Sequence, residues 1–417
     1  MNISSNEKIS KIRIQNCLFK TIGFMNCNRS FYDGLIKNNF VKKNFDSDTI
    51  NFLENSYHSE YLSLMFSQKY SGVDIFSRKI NYEIGIDRRH NHVTMTNIDM
   101  YIFSNSYKNT KTSIFSITYK PSDLSLGEIS NISNDLKNHD CEIIFDSDKL
   151  LLKEFITKYL FFGNQFSETN TSLDQYSGFR FKNYLVIDFD DSSVDRNNLL
   201  YELGTSSMLG TIEDNTIHAP SYSYLNHILK NKISCFKNYD CLTLLDSFTV
   251  IGTNNYDKGH IYTHTTWNDI YFSIYIFNLY IKCSVQIILD DFTSDAMTKR
   301  KEFQEFYNKY YFRKISYNFL PNELFKRISD SLEIDDDLDY LDNKLETLAS
   351  QVNEKQQKQQ EFLLLCLSVI ALLETPLHIE GIREIIGIRN MVIYNSLVYP
   401  ILVLTLVILL MSRYRRK

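Results

Sequence analysis

Asp87, Arg88, Arg89, His90, Asn91 and His92 form the one dense basic cluster in the N-terminal part of the chain. Adjacent guanidinium forks and an imidazole suit phosphate oxygens, which Arg engages in bidentate pairs. Arg88, Arg89 and His90 are therefore candidate ligand-binding residues for a phosphorylated messenger, beside the plainer reading of a solvated loop. A second cluster is acidic: Glu333, Asp335, Asp336, Asp337, Asp339 and Asp342. Hard divalent cations such as Mg²⁺ take carboxylate oxygens, which makes Asp335, Asp336, Asp337 and Asp339 candidate metal ligands. The same acids are also favourable simply at a helix N-terminus. Asp257, His260 and His264 are ligand types too, but Gly259 and the neighbouring threonines read as a loop leading to Trp267. Asp188, Asp190 and Asp191 follow the apolar run Tyr184 to Ile187 without a Gly-rich phosphate loop or a Lys partner. The sequence holds no nucleophile elbow, HExxH or Walker A pattern, so an enzyme is not expected. Its 7 cysteines include no CxxC pair and read as free thiols of a reducing compartment.

The elements that would position these groups fall into two kinds. Met391 to Met411 carries no charged residue, enough to cross a hydrocarbon core about 30 Å thick, and Arg413, Arg415, Arg416 and Lys417 follow it. Cations at one edge place that edge in the cytoplasm. A second apolar run, Phe362 to Leu373, spans a membrane once its flanks Gln356 to Pro376 are included; the alternative is a single tail anchor with this run packed as a soluble helix. Two spans with both ends in the cytoplasm imply a multi-pass protein of the cell inner (plasma) membrane. Upstream, Leu338, Leu341, Leu345, Leu348 and Val352 step by three and four, a heptad seam. The same frame continues through Lys355, Gln359, Phe362, Cys366, Val369 and Leu373. No Pro or Gly interrupts Asp336 to Leu373, which predicts one helix about 57 Å long. Polar Lys355 and Gln359 on that seam point either to an aqueous path or to a device that specifies register and oligomer state.

The remainder reads as α+β. Strands are expected at Ile12 to Phe24, His92 to Phe103, Thr112 to Tyr119, Cys141 to Phe145, Asn183 to Phe189 and Cys241 to Ile251. Helices are expected at Leu150 to Phe161, Trp267 to Leu289, Asp295 to Tyr311 and from Asn322 onward. Ile270 to Leu289 is apolar enough to tempt a third span, but Asn278, Lys282, Ser284 and Gln286 argue for a buried helix. The expected division is a cytoplasmic α+β sensing domain (1–260), a helical stalk (261–355), a first span (356–376), an outer loop (377–390), a second span (391–412) and a basic tail (413–417). Among 417 residues, 45 Lys+Arg stand against 50 Asp+Glu, a net charge of -5 that argues against a general nucleic-acid binder. The stretch Met1 to Phe24 lacks a continuous apolar core, so no signal peptide is expected.

Two C-terminal spans, the first continuous with a very long cytoplasmic helix, resemble the CorA family of divalent-cation transporters. Tyr399, Pro400, Ile401, Leu402 and Val403 are similar to the family's Tyr-Pro start of its second span, and the basic tail is similar to its ending. The likeness covers roughly Asp336 to Lys417 and is architectural before that. It implies a homopentamer in a lipid bilayer, with a funnel-shaped cytoplasmic domain and a pore lined by the first span. Lys355, Gln359, Phe362, Cys366, Val369 and Leu373 would then line the pore, and Glu374, Glu380, Gly387 and Asn390 the outer mouth. The family's Gly-Met-Asn after the first span is missing; Gly387, Ile388, Arg389 and Asn390 come nearest, with an inserted cation that would repel Mg²⁺. A ring of Glu374 or Glu380 would still favour cations. The missing motif and the long N-terminal part resemble divergent CorA-like proteins encoded beside type III CRISPR systems. That branch implies a membrane effector of antiviral defence gated by an adenine-nucleotide messenger. The other readings are a constitutive divalent-cation transporter with a diverged outer loop, and a non-conducting membrane-anchored interaction protein.

Overall fold

Short apolar runs bounded by turn residues fold into eleven strands of one sheet among the described residues. They are β1 (Ile14–Cys27), β2 (Val41–Lys42), β3 (Val73–Ile86), β4 (Asn91–Phe103), β5 (Lys111–Lys120), β6 (Glu142–Phe145), β7 (Asp148–Leu151), β8 (Lys182–Phe189), β9 (Lys232–Phe236), β10 (Tyr239–Leu244) and β11 (Ser247–Thr253). The order is β7-β6-β3-β4-β5-β1-β8-β11-β10-β9, with β2 beside β3. Pairing is antiparallel except between β8 and β11, which makes the sheet mixed. The computed structural model describes residues 5–27, 29–66, 72–86, 91–103, 111–121, 124–162, 180–189, 194–213, 217–237, 239–253, 266–290 and 296–378.

The sheet is covered on both faces. β8 is buried along its whole length, and its near-continuous apolar run Tyr184, Leu185, Val186, Ile187 is what a strand covered on two sides requires. On one face Phe115, Ile117 and Tyr119 of β5 and Leu185, Ile187 and Phe189 of β8 join a core with Leu126, Ile129 and Ile132 of the helix Leu126–Asp135. Ser125 caps that helix in a capping box with Glu128. The opposite face receives the helix Tyr271–Asp290, the core helix, entered through one π turn, Thr266–Ile270. Tyr280 stacks on Phe103 with centroids 3.8 Å apart, and Phe272 meets Tyr184 edge-on at 4.8 Å. Thr266–Leu289 is the one helix among the described residues long and apolar enough to cross a membrane, and 83% of its apolar stretch is buried inside the protein. The buried-helix reading of Ile270 to Leu289 therefore holds.

Several sequence expectations shift. The run Cys241 to Ile251 is two strands, because Leu245 and Asp246 turn β10 back as β11. Leu150 and Leu151 belong to β7, and the following helix starts at Leu152. β3 was not expected, since Arg78, Lys79 and Asn81 break its apolar alternation; a register irregularity between Lys79 and Tyr82 absorbs the break. The chain divides into compact units Met1–Asp342 and Asn343–Lys417. The first continues well past the boundary expected near 255–265, because the core helix packs on the sheet and does not begin a stalk. Residues 254–265 lie outside the described residues, as do 391–412 and the basic tail 413–417.

Buried charges punctuate this interior. Lys20 lies 3.9 Å from Asp99, donates to the Asn268 carbonyl at 3.3 Å and sits over the Phe272 ring at 4.0 Å. Burial pulls its ammonium down to about 8, with Asp99 opposing. Lys137 and Lys182, both buried, share the carboxylate of Asp246 at the β10–β11 turn. The described cysteines Cys17, Cys235, Cys241, Cys283 and Cys366 are free thiols.

His139 is buried with its ring 4.3 Å from that of Phe181. Burial pushes its imidazole down to about 4, with Asp140 opposing and Lys153 adding to the drop. The unfolded chain protonates it near pH 6.5, so it binds more protons than the folded chain between about pH 6.5 and 4. The stability is fully present above pH 6.5 and is lost as pH falls toward 4. Chemical unfolding across this window should show a shallower acid loss for His139→Gln than for wild type; equal slopes would place the acid sensitivity elsewhere.

Candidate functional site

The feature closest to a working part is the helix Ile334–His378, the stalk helix. It contains every residue of the predicted seam, and at 1.5 Å per residue it is about 68 Å long. Asp335, Asp336 and Asp337 occupy its first turn, where carboxylates meet unpaired backbone N–H groups. Glu333, just before it, turns the chain with a left-handed φ of 54°.

The acidic turn is held from the core helix. Lys282 Nζ lies 2.7 Å from Asp337 Oδ2, and Gln286 Nε2 donates to the same oxygen at 2.6 Å. Tyr311 donates to Asp335 Oδ1 at 3.3 Å. Asp335, Asp336 and Asp339 are exposed, and no three His, Cys, Asp or Glu side chains among the described residues converge as a metal site. Within one chain, then, Asp337 serves as the partner of a buried lysine. The polar residues Lys282 and Gln286, which argued for a buried helix, are the ones that hold the first turn of the stalk helix.

Along the stalk helix the buried line runs Ile334, Leu338, Leu341, Leu345, Ala349. Ala349 is buried and Leu348 only half-buried, because a straight helix at 3.6 residues per turn drifts away from a heptad repeat. Beyond it Lys355 and Gln359 are exposed, and Phe362, Cys366 and Val369 are half-buried. Leu373 and Glu374 lie on the same helix by backbone. Leu363, Leu364, Leu365 and Leu367 are 60%, 63%, 47% and 62% exposed. Arg88, Arg89 and His90, and likewise Glu380, Gly387 and Asn390, lie outside the described residues, as do Asp257, His260 and His264. Asp188 is buried at the end of β8, and Asp190 and Asp191 are outside the described residues.

A polar cleft of about 620 Å³ opens where β1 and β5 part. Their pairing stops at Phe19 and Tyr119, while β1 continues along β8 to Ile14. Asn16, Thr96, Asn97, Thr118, Lys120 and Asn268 line it, and Asn97 donates to the buried Asp99 at 2.8 Å. Sequence reasoning missed this cleft, since nothing local marks the residue at which two strands separate. No family model, curated protein or solved structure matches the chain.

Removing the Asp337 carboxylate strands the ammonium of Lys282, whose side chain is 6% exposed. Breaking a buried pair from one side costs about 3–5 kcal/mol, and the partial exposure of Asp337 brings the expectation to the lower end. Thermal unfolding of Asp337→Ala should show this loss, and Lys282→Met with Asp337→Leu should recover most of it. A single variant as stable as wild type would show that the pair does not hold the stalk.

Proposed function

We propose that the chain is a subunit of a CorA-like oligomeric membrane channel, gated by a ligand at its cytoplasmic sheet domain. The observation that carries this reading is the leucine run on the stalk helix. Leu363, Leu364, Leu365 and Leu367 are near-consecutive, and a helix turns 100° per residue, so they spread over about 200° of the circumference. One partner helix covers a narrower stripe than this, and a helix apolar all round either lies in a protein core or spans a membrane. Leaving each such leucine in water costs about 1.5–3 kcal/mol. Just before this run the exposed residues are Glu354, Lys355, Gln356, Gln357 and Lys358, a polar collar at the membrane edge.

The second span at 391–412, the five-fold ring and the cytoplasmic side of the sheet domain follow from the resemblance and the basic tail. In this reading Lys355, Gln359, Phe362, Cys366, Val369 and Leu373 face the axis, and Glu374 and Glu380 form acidic rings that favour cations, Mg²⁺ among them. The gating ligand is an adenine nucleotide, and the setting is antiviral defence of the CRISPR type. Gating is a population shift: a ligand that binds the open state better tilts the stalk helices toward it.

Purified protein in detergent should have the mass of a ring, pentameric by native mass spectrometry; a monomer overturns the channel. In liposomes with a Mg²⁺-sensitive dye, flux should be absent without ligand and appear with adenine nucleotides. Flux without any ligand would replace the gated reading with a constitutive transporter. Glu374→Ala and Glu380→Ala should abolish cation flux in either case, and unchanged flux removes them from the mouth.

A further inference from the structure

We draw no further inference here: the strongest candidate, the polar cleft of about 620 Å³ where β1 and β5 part, is lined by amides, hydroxyls and a single exposed cation, Lys120, which together fix no chemical class of occupant, and the uncharged aromatic groove around Trp267 is an apolar face with nothing in the structure to show what covers it.

Discussion

Aromatic packing of the core helix on the sheet is the interaction on which the rest of the molecule depends. Phe272 and Tyr280 spend their rings on Tyr184 and Phe103, and the helix that carries them is apolar enough for a bilayer. Because that face of the sheet would otherwise be bare, the helix is drawn inward and its polar residues acquire specific duties. Lys282 and Gln286 reach the first turn of the stalk helix, and Asn278 donates back to the carbonyl of Ile274 at 2.9 Å. The stalk therefore starts from a buried ion pair anchored in the sheet domain.

Two apolar helices in one chain illustrate how similar composition leads to opposite fates. The core helix carries polar residues spaced along its length and finds a sheet to cover it. In the stalk helix, Phe362 to Leu373 holds cysteine and serine as its only polar interruptions, and Leu363, Leu364, Leu365 and Leu367 remain exposed. The exposed arc of these four leucines is the observation on which the proposed membrane span rests, apart from any likeness to a family.

Polar groups inside the sheet domain are mostly satisfied by design. Glu202, 1% exposed, accepts from the backbone of Gly210 at 2.8 Å and Ile212 at 3.0 Å and so pins the segment after its helix. Lys20, Lys137 and Lys182 each have a carboxylate near.

The sequence by itself determined the features that depend on local spacing. Apolar steps of three and four along an interval free of Pro and Gly (Asp336 to Leu373) produced one continuous helix, because helix formation is decided turn by turn. Runs such as His92 to Phe103 and Asn183 to Phe189 became strands for the same reason, and Asn278 and Lys282 within an apolar run foretold a buried helix. Tertiary structure decided what depends on distant residues meeting. The partner of Lys282, the separation of β1 from β5, and the placing of β3 despite its broken alternation all depend on pairing across the fold. The cavity lined by Phe52, Tyr57, Phe236, Tyr239, Trp267 and Phe319 is the clearest case. With 28 Tyr and 29 Phe in the chain, no single ring among Phe52, Tyr57, Phe236, Tyr239 and Phe319 carries a local signal. They meet only when the fold brings them around Trp267, because burial and enclosure are properties of a packed neighbourhood and not of a residue type.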